Sequence, residues 1–572
     1  MFNPKTMNKM KKILAIAVLF TAAIGAGAQT MYDAITYSQN HYFGTARSMS
    51  MGNAVTALGG DLGSVGINPA GSAVSSYGQF VITPGVTIST VSSAYSPEGE
   101  RAYGPASPLS NTRMNLPNIG FSMNYRTGHS NGIKSVTFSV LSNQTNSYNF
   151  AAEAFGSNSQ TSKIAEFAYS ATGYYEDVLR RYSSFNDTDI PWDILTAYQG
   201  GMYGPYYADG DYAGVTEAIG RKGDFVFPYV PGALAQTSYL TKRGTKNDLI
   251  LNFAANVSDR VYFGVNVGLP TARYRYSETF YESPVNPDLF PLSFEEGDTY
   301  FLRGVYNYMY NANIDGIYAK FGVIVRPTDN LRFGASIQTP TAFTISETWQ
   351  DYAATYYDDQ YFDDEETSPT GEYSYCLRSP YRASFGLAYT FSGQGLFSVD
   401  YELADYSVMR FSDIRRDRVN SEEFMYLNTI NRYFAGLEHN FRAGLEFKLT
   451  PEVAVRAGYT LTTSPERYWT NSSGQTVTAD NFNYYEDNHN LVTAHYFGDR
   501  TQSFSFGLGY SSPGSFFADI AARMTQYPAS TFAPYYTYDS YDSTGTLLTI
   551  DSPRVLNNRK LFNVSLTLGW RF

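Results

Sequence analysis

The last twelve residues, LFNVSLTLGWRF, alternate between apolar and polar positions. One register holds Phe562, Val564, Leu566, Leu568, Trp570 and Phe572, and the other is polar or small from Asn563 onward. A period of two is typical of a β-strand with one apolar and one polar face. The only charge, on Arg571, falls in the polar register, as expected where the other face meets lipid, because a charge there costs about 2–4 kcal/mol at mid-membrane. A half-buried strand of a soluble sandwich would alternate too.

The same alternation recurs in pairs of strands joined by a short polar turn. Three such hairpins read ILNFAANVSDRVYFGVNVGLPTA, KFGVIVRPTDNLRFGASIQTPTA and FRAGLEFKLTPEVAVRAGYTLTT. Charged residues keep to one register; for example, Arg332 lies between Leu331 and Phe333. Because an unpaired strand edge cannot face lipid, the hairpins must close into a barrel. The pattern therefore predicts an all-β membrane protein.

We predict about fourteen antiparallel transmembrane strands. They cover 77–93, 115–126, 134–150, 247–257, 260–272, 314–326, 330–345, 379–391, 396–408, 437–449, 452–463, 500–511, 515–526 and 560–572. Short and long connections alternate, which places the short turns in the periplasm and the long loops outside the cell. The longest connection, 151–246, has helix-like spacing at Ile164, Phe167 and Ala168 and predicts a partly helical extracellular cap.

The N-terminus and the composition fit an exported barrel. Residues 1–28 predict a signal peptide, with lysines, an apolar run over 13–25 and the small residues Ala26-Gly27-Ala28. That leaves 29–76 before a barrel domain of 77–572. Tyr, Phe and Gly are abundant (51, 39 and 48 residues), although only 16% of residues are charged. The net charge of -12 argues against nucleic acid as a partner, and the single cysteine excludes an intrachain disulfide scaffold.

Charged residues in the inward register predict a lined or plugged lumen. They include Arg382, Asp400, Glu402, Arg442, Glu446, Arg456, Asp519 and Arg523. We expect these charges to pair across strands. A barrel of about fourteen strands leaves a passage that eight strands would fill with side chains. The only spare segment of useful size is 29–76, which is therefore the candidate plug.

The plug candidate carries a recognisable motif. ARSMSMGNAVTALGGDLGSVGINPAGSA (46–73) resembles the N-terminal hatch of the FadL/TodX-type outer-membrane transporters of hydrophobic compounds, some Bacteroidetes members of which are labelled haemin receptors. The resemblance rests on Met51-Gly52, Asp61 and Asn68-Pro69-Ala70-Gly71. The second acidic residue usual after Asp61 is absent. The resemblance covers most of 29–150 and 247–572.

The resemblance implies a passive channel in the bacterial outer membrane for small hydrophobic molecules such as long-chain fatty acids. In that family the hatch gates the barrel, and the ligand leaves sideways at a kink in the third strand. Here the oily face of that strand ends in a polar run of Ser142, Asn143, Gln144, Thr145 and Asn146. The same run is also consistent with a strand that simply passes beyond the membrane. The implied gate residues are Asp61 and Asn68 to Gly71.

Other functions have weaker support in the sequence. No nucleophile elbow, phosphate loop or metal-ligand cluster indicates an enzyme or a required cofactor. A haem receptor would need axial ligands such as His41, His489 or His495. A surface-binding or adhesion protein would use the barrel only to display Tyr-rich loops. The acidic stretch DDQYFDDEE could bind divalent cations or lipopolysaccharide, although a solvated loop is the simpler interpretation.

The expected partners follow from this interpretation. We expect contacts with outer-membrane lipid and lipopolysaccharide, and an apolar small-molecule ligand. The terminal Phe572 resembles the signal that the barrel-assembly machinery reads in bacterial outer-membrane proteins. We expect a monomer.

Overall fold

The computed structural model describes residues 30–96, 103–207, 210–391, 393–414, 422–483, 490–548 and 552–572. The predicted signal peptide, 1–28, lies outside the described residues, as does His489. Among the residues described, no helix is both long and apolar enough to cross a membrane.

Fourteen antiparallel strands form a closed wall, in which β14 pairs with β1 from Gln79–Arg571 to Ser96–Arg554. The strands are β1 (Gln79–Ser96), β2 (Ser107–Arg126), β3 (Ile133–Ser147, continued by Phe150–Asn158), β4 (Leu234–Val257), β5 (Val261–Pro284), β6 (Gly297–Val325), β7 (Leu331–Gln338 and Ala342–Tyr357), β8 (Gly371–Arg378 and Arg382–Phe391), β9 (Gly395–Asp405 and Arg410–Asp413), β10 (Leu437–Lys448), β11 (Val453–Thr463), β12 (Arg500–Ser511), β13 (Phe516–Gln526 and Ser530–Phe532) and β14 (Arg554–Arg571). The prediction of a fourteen-stranded antiparallel barrel is confirmed.

The alternation seen in the sequence separates the two faces of the wall. Outward side chains such as Phe253, Phe263 and Phe506 are more than half exposed. Inward neighbours such as Asn252 and Ser505 are buried. An apolar outer face over a polar inner face is what a barrel needs when lipid surrounds it.

Many strands continue further than the sequence predicts. The strands β4, β5 and β6 contain 24, 24 and 29 residues, and their outer ends rise above the apolar band. There the outward residues become Thr, Asn, Arg and Tyr, so the apolar signal used to set the boundaries is lost. The predicted insertion 151–246 is correspondingly shorter in the structure, since Phe150–Asn158 and Leu234–Val257 pair with each other in the wall.

The segment between residue 30 and β1 lies inside the barrel, and we call residues 30–76 the hatch. It contains helices α1 (Met31–Ser38), α2 (Ala46–Ser50) and α3 (Leu62–Val65) and the 3-10 helix Pro69–Val74. Thr30 and Thr45 cap the first two helices with their side chains. Nearly every hatch residue from Tyr42 to Leu58 is buried, so the hatch and the wall share one core.

Above the membrane band, the connections fold against the tall strands. Helices α4 (Lys163–Ala171), α5 (Glu176–Leu179), α6 (Ser184–Asp187) and α7 (Trp192–Gln199) form a cap whose core includes Phe167, Leu195 and Phe301. Helix α8 (Glu422–Phe434) packs near α1. Short strands are Tyr203–Pro205, Tyr212–Gly214, Ala218–Lys222, Phe225–Tyr229, Pro291–Phe294, Asp364–Thr367, Arg467–Asn471, Thr476–Val477, Leu491–Tyr496, Ser540–Tyr541 and Leu547–Leu548, and further 3-10 turns are Pro287–Leu289, Gln360–Phe362 and Tyr406–Val408.

Candidate functional site: the hatch and the third strand

The Asn68-Pro69 turn joins the hatch to the wall. Asn68 is fully buried, and its Oδ1 accepts a hydrogen bond from the backbone N–H of Ala70 (3.1 Å), which caps the 3-10 helix. Its Nδ2 donates to the carbonyl of Thr56 (2.7 Å) and to that of Val323 in β6 (3.1 Å). Pro69 occupies the first position of the 3-10 helix, where its missing N–H has no cost. One side chain thus fixes the turn, a second hatch loop and the wall.

Wall residues from three strands hold the carbonyls around this turn. Asn252 of β4 donates to the carbonyl of Pro69 (3.0 Å), and Asn266 of β5 to that of Val65 (2.8 Å). The ammonium of Lys320 in β6 donates to the carbonyl of Gly66 (2.7 Å). These bonds satisfy backbone oxygens that would otherwise be buried without a partner. The turn is therefore seated on the inner wall at β4, β5 and β6.

Glycines in the wall allow this close approach. A methyl group at Gly322 would overlap the Asn68 side chain, and one at Gly264 would overlap the backbone of Pro69. The other hatch-motif residues, Ala70 and Gly71, are buried beside this contact. The absence of side chains at these wall positions is a condition for the hatch to fit.

Asp61 forms hydrogen bonds with other hatch residues rather than with the wall. Its Oδ2 accepts hydrogen bonds from the hydroxyls of Thr45 and Ser48, both at 2.6 Å. The two hydroxyls belong to the start of α2, whereas Asp61 precedes α3. The carboxylate therefore fixes the position of one short helix against the other.

All eight lumen charges named from the sequence lie inside the barrel, where seven are buried and Arg456 is partly buried, and six of the eight form two ion-pair networks. One network joins Arg382 to Glu402 (3.2 Å) and Glu402 to Arg442 (2.8 Å), and Arg382 also reaches Glu438 (3.4 Å). The other joins Arg456 to Glu446 (2.6 Å) and to Asp519. The hatch enters the second network through Arg47, 2.9 Å from Glu446.

The remaining two lumen charges contact the hatch backbone. Asp400 accepts a hydrogen bond from the N–H of Thr56 (2.8 Å), and Arg523 donates to the carbonyl of Tyr42 (2.8 Å). Arg382 likewise donates to the carbonyl of Ser38 (2.8 Å). The charged lumen is thus lined on one side by wall strands and on the other by the hatch.

The polar run in the third strand distorts the wall. The pairing of β3 with β4 shifts register between Gln144 and Asn146, and the strand is interrupted before Phe150. Ser142 is half-buried, whereas residues 143–146 are buried, so this stretch does not alternate between an outer and an inner face. A register shift of this kind is a β-bulge, which bends the strand that carries it.

Beyond the bulge, β3 and β2 no longer form a ladder. The two strands pair from Asn118–Asn143 to Arg126–Ser135. Residues 107–115 of β2 pair with β1, and no ladder covers the other edge of residues 107–117 in the described part of the chain. We call this place the wall break. A hydrogen bond from Asn115 to Gln144 (2.8 Å) crosses it, and the side chain of Met114 is 85% exposed.

The hatch is bonded to the inner side of the wall break. The backbone N–H of His41 donates to the carbonyl of Thr145 (2.7 Å), and that of Phe43 to the carbonyl of Gln144 (3.1 Å). Asn143 lies against Gly66, next to the Asn-Pro turn. The structure thus brings together two sets of residues that the sequence named separately, the hatch motif and the polar run of β3.

The lumen beside the hatch has little free space. A cavity of about 30 Å³ lies between Tyr42, Asn53, Arg442, Ser503 and Arg523. Such a volume holds about one water molecule. The hatch and the wall therefore leave almost no free space between these residues in this conformation.

The residues considered for haem or metal binding lie apart. His41 is in the lumen, edge-on to Tyr527, and His495 stacks on Tyr468 at 5.1 Å on the outer loops. In the acidic stretch, Asp358 accepts from Thr299 and from the backbone of Tyr300. Across the described ranges, no group of three or more His, Cys, Asp or Glu residues is arranged to hold a metal ion.

Sequence reasoning missed most of the wall side of this site. Asn252, Asn266 and Asn115 are short polar residues in otherwise ordinary strands. Asn252 and Asn266 bind backbone carbonyls far away in the chain, and Asn115 binds the side chain of Gln144 on another strand. The sequence pattern places these residues in the inward register, but it predicts neither the hatch contacts nor the wall break. A signal was available in the inward glycines, which mark places where another part of the chain comes close.

Comparison with known proteins finds similar structures but no similar sequences. No family model matches the chain, and no curated protein is similar to it in sequence. Among solved structures, a Pseudomonas aeruginosa FadL homologue is 12% identical, with 92% of this chain and 98% of that chain covered and a TM-score of 0.44. The P. putida toluene transporter TodX is 10% identical (94% and 99% covered, TM-score 0.43), and the Ralstonia pickettii toluene transporter TbuX is 12% identical (93% and 98%, 0.42). These are the kinds of channel that the hatch sequence resembles.

Proposed function

We propose that this protein is a bacterial outer-membrane channel through which small hydrophobic molecules diffuse passively. In this proposal the hatch is the gate, and the ligand leaves the barrel sideways through the wall break. Long-chain fatty acids and monoaromatic hydrocarbons are the ligand classes to test. The proposal needs neither a cofactor nor catalysis.

The observation that carries the proposal is the wall break between β2 and β3. An unpaired backbone edge is costly in lipid, so transmembrane barrels close their ladders. Here the ladder between β2 and β3 stops at Asn118–Asn143, and the exposed apolar side chains of Met114 and Leu116 lie on the part of β2 that no longer pairs with β3. A passage at this place would deliver an apolar molecule into the bilayer rather than into water.

The contacts between the hatch and the wall break support gating. The hatch fills the lumen, and its residues 41–43 are bonded to the carbonyls of Gln144 and Thr145. Any movement of the hatch that frees the lumen must break these bonds. It thereby removes the inner support of the bulge at the same time. Opening of the lumen and opening of the wall are then one event.

A reversible cross-link tests the gate. Gly66 and Asn143 touch across the hatch and the wall, so Gly66→Cys with Asn143→Cys, in a Cys376→Ser background, places two thiols in contact. We would reconstitute the protein into lipid vesicles that contain serum albumin as a trap, and follow radiolabelled oleate and toluene. We expect the oxidised double variant to take up no more than empty vesicles, and a reductant to restore wild-type uptake.

The single-cysteine variants are the matched controls, because they carry the same side chains without the bond. Oxidant should leave their uptake unchanged. Wild-type uptake equal to that of empty vesicles would refute the channel itself. Full uptake through the oxidised, cross-linked protein would leave the channel standing but refute the hatch as its gate.

A further inference from the structure

Two pairs of arginines face each other on the outer surface of the wall. Arg243 of β4 stands opposite Arg275 of β5, and Arg378 of β8 stands opposite Arg410 of β9. All four are exposed. Directly opposed residues have Cβ atoms about 5 Å apart, and like charges in such positions destabilise a sheet. No carboxylate lies within 4 Å of these guanidinium groups among the residues described.

Both pairs lie just outside the apolar band, on the side of the long loops. In β5 the outward register is apolar up to Leu269 and continues with Thr271, Arg273 and Arg275. With about 3.4 Å per residue and a tilt of about 40°, Arg275 is roughly 36 Å above the start of the strand. Arg378 lies at a similar height above the end of β8. An apolar band about 25 Å tall therefore ends roughly 10 Å below both pairs. The arginines then lie at the depth of the outer-leaflet headgroups.

At the opposite rim of the barrel, several basic residues form ion pairs with carboxylates. Lys134 pairs with Asp259 at 2.6 Å, and Arg260 and Arg326 share Asp329 at 3.4 and 3.6 Å. Three cations beside the short turns are thus neutralised by the chain's own carboxylates. At the outer rim the arginines oppose each other instead, which leaves their charge to be neutralised from outside the chain.

We propose that the pairs Arg243–Arg275 and Arg378–Arg410 bind the phosphate groups of lipid A, the phosphorylated glycolipid of the outer leaflet. A guanidinium group binds phosphate through two parallel hydrogen bonds. Two guanidinium groups on neighbouring strands can share one phosphate, whose negative charge converts their repulsion into attraction. A zwitterionic or neutral headgroup would not remove the repulsion. Arg273, one step lower on the same face of β5, adds a third cation to the first pair.

The test measures lipid A bound to the full-length protein in detergent. We would compare the wild type with Arg243→Gln/Arg275→Gln, Arg378→Gln/Arg410→Gln and the fourfold variant, using native mass spectrometry and the rise in Tm on adding purified lipid A. We expect each double variant to lose part of the binding and the fourfold variant to bind at least tenfold more weakly. Arg260→Gln/Arg326→Gln on the opposite rim is the matched control and should bind like the wild type.

Phosphate dependence is tested with lipid A from which both phosphates have been removed, and charge specificity with phosphatidylglycerol at equal charge. We expect both to bind the wild type at least tenfold more weakly than lipid A. Unchanged lipid A binding by the fourfold variant, or equal binding of either comparison lipid, would overturn the assignment. If a glutamine variant fails to fold, as judged by its migration in unheated gels, the lysine variant replaces it. Lysine keeps the charge but cannot form the bidentate hydrogen bond, so we expect the lysine variant to bind lipid A several-fold more weakly. Binding as tight as that of the wild type would again overturn the proposal.

Discussion

Replacing Asn68 by alanine is the most direct perturbation of the hatch. The substitution removes the side-chain cap on Ala70 and the two bonds from Nδ2 to the carbonyls of Thr56 and Val323. It creates no clash, because the side chain becomes smaller at a fully buried position. Pro69 remains, so the backbone angle of the turn is retained. The variant therefore isolates the hydrogen bonds.

The expected loss can be worked out from these three bonds. A hydrogen bond contributes about 0.5–1.5 kcal/mol net, and a buried group left without its partner costs about 1–3 kcal/mol. The carbonyl of Val323 lies in a strand, and the Ala70 N–H is buried in the lumen, so neither gains much solvent. We expect the closed position of the hatch to lose about 2–4 kcal/mol. That corresponds to a population of displaced hatch about 30 to 1000 times larger.

Hydrogen exchange and uptake report this population. The amides of residues 53–75 should exchange faster by the same factor, since they open with the hatch. The amides of β10 to β13 should not change. In the vesicle assay, uptake of oleate or toluene should rise in proportion until the open state is dominant.

Two further variants test whether the lost hydrogen bonds of Asn68 cause the expected changes in exchange and uptake. Asn286→Ala removes the same kind of Asn-Pro cap in an exposed 3-10 turn, and should change neither measurement. Asn68→Asp keeps the acceptor for Ala70 but turns the donor into an acceptor aimed at two carbonyls, and should displace the hatch at least as much as alanine. Exchange of residues 53–75 within twofold of wild type in Asn68→Ala would refute the reasoning.

Three other substitutions test neighbouring parts of the structure. Gly322→Val places a side chain where Asn68 lies, so we expect faster uptake through a displaced hatch, with the fourteen-stranded barrel intact by circular dichroism. Glu446→Ala leaves Arg456 with one fewer buried partner and should destabilise the barrel by about 3–5 kcal/mol in urea titrations, more than Glu446→Gln. Burial raises the pKa of Glu166 in the cap to about 7 from its ordinary 4.5. The folded cap therefore binds a proton that the unfolded chain releases, and its stability should fall by about 2–3 kcal/mol as pH rises from 5 to 8, measured by exchange over α4 and absent in Glu166→Gln.

The wall was predictable because lipid imposes a simple rule on it. Every strand must show apolar residues outward, so Phe333 and Ile337 or Ile520 and Met524 reveal their strands without any knowledge of their partners. The rule ends where the lipid ends. Above the band, outward residues such as Asn311 and Asn313 face water, and the strand β6 continues without a hydrophobic signal.

The Asn-Pro turn of the hatch was predictable only as a motif. Asn68-Pro69 is visible as a stiff turn, but two of the three hydrogen bonds of Asn68 join residues 12 and 255 positions apart in the chain. The polar run of β3 was likewise visible, and the sequence left open whether it was a kink or an exit from the membrane. Its meaning depends on the register of β3 against β4 and on the backbone of residues 41–43. Backbone pairing of this kind leaves no trace in side-chain type.

The height of the wall has a consequence for access from outside the cell. With 29 residues at about 3.3 Å each and a tilt of about 40°, β6 rises roughly 70 Å, of which the apolar band accounts for only about 25 Å. The barrel wall therefore extends tens of ångströms beyond the bilayer, through the layer that the sugars of lipopolysaccharide occupy. A hydrated sugar layer repels apolar molecules. In the proposed channel, a molecule captured at the outer end of this wall would pass that layer inside protein once the hatch is displaced, and would never have to dissolve in the sugars.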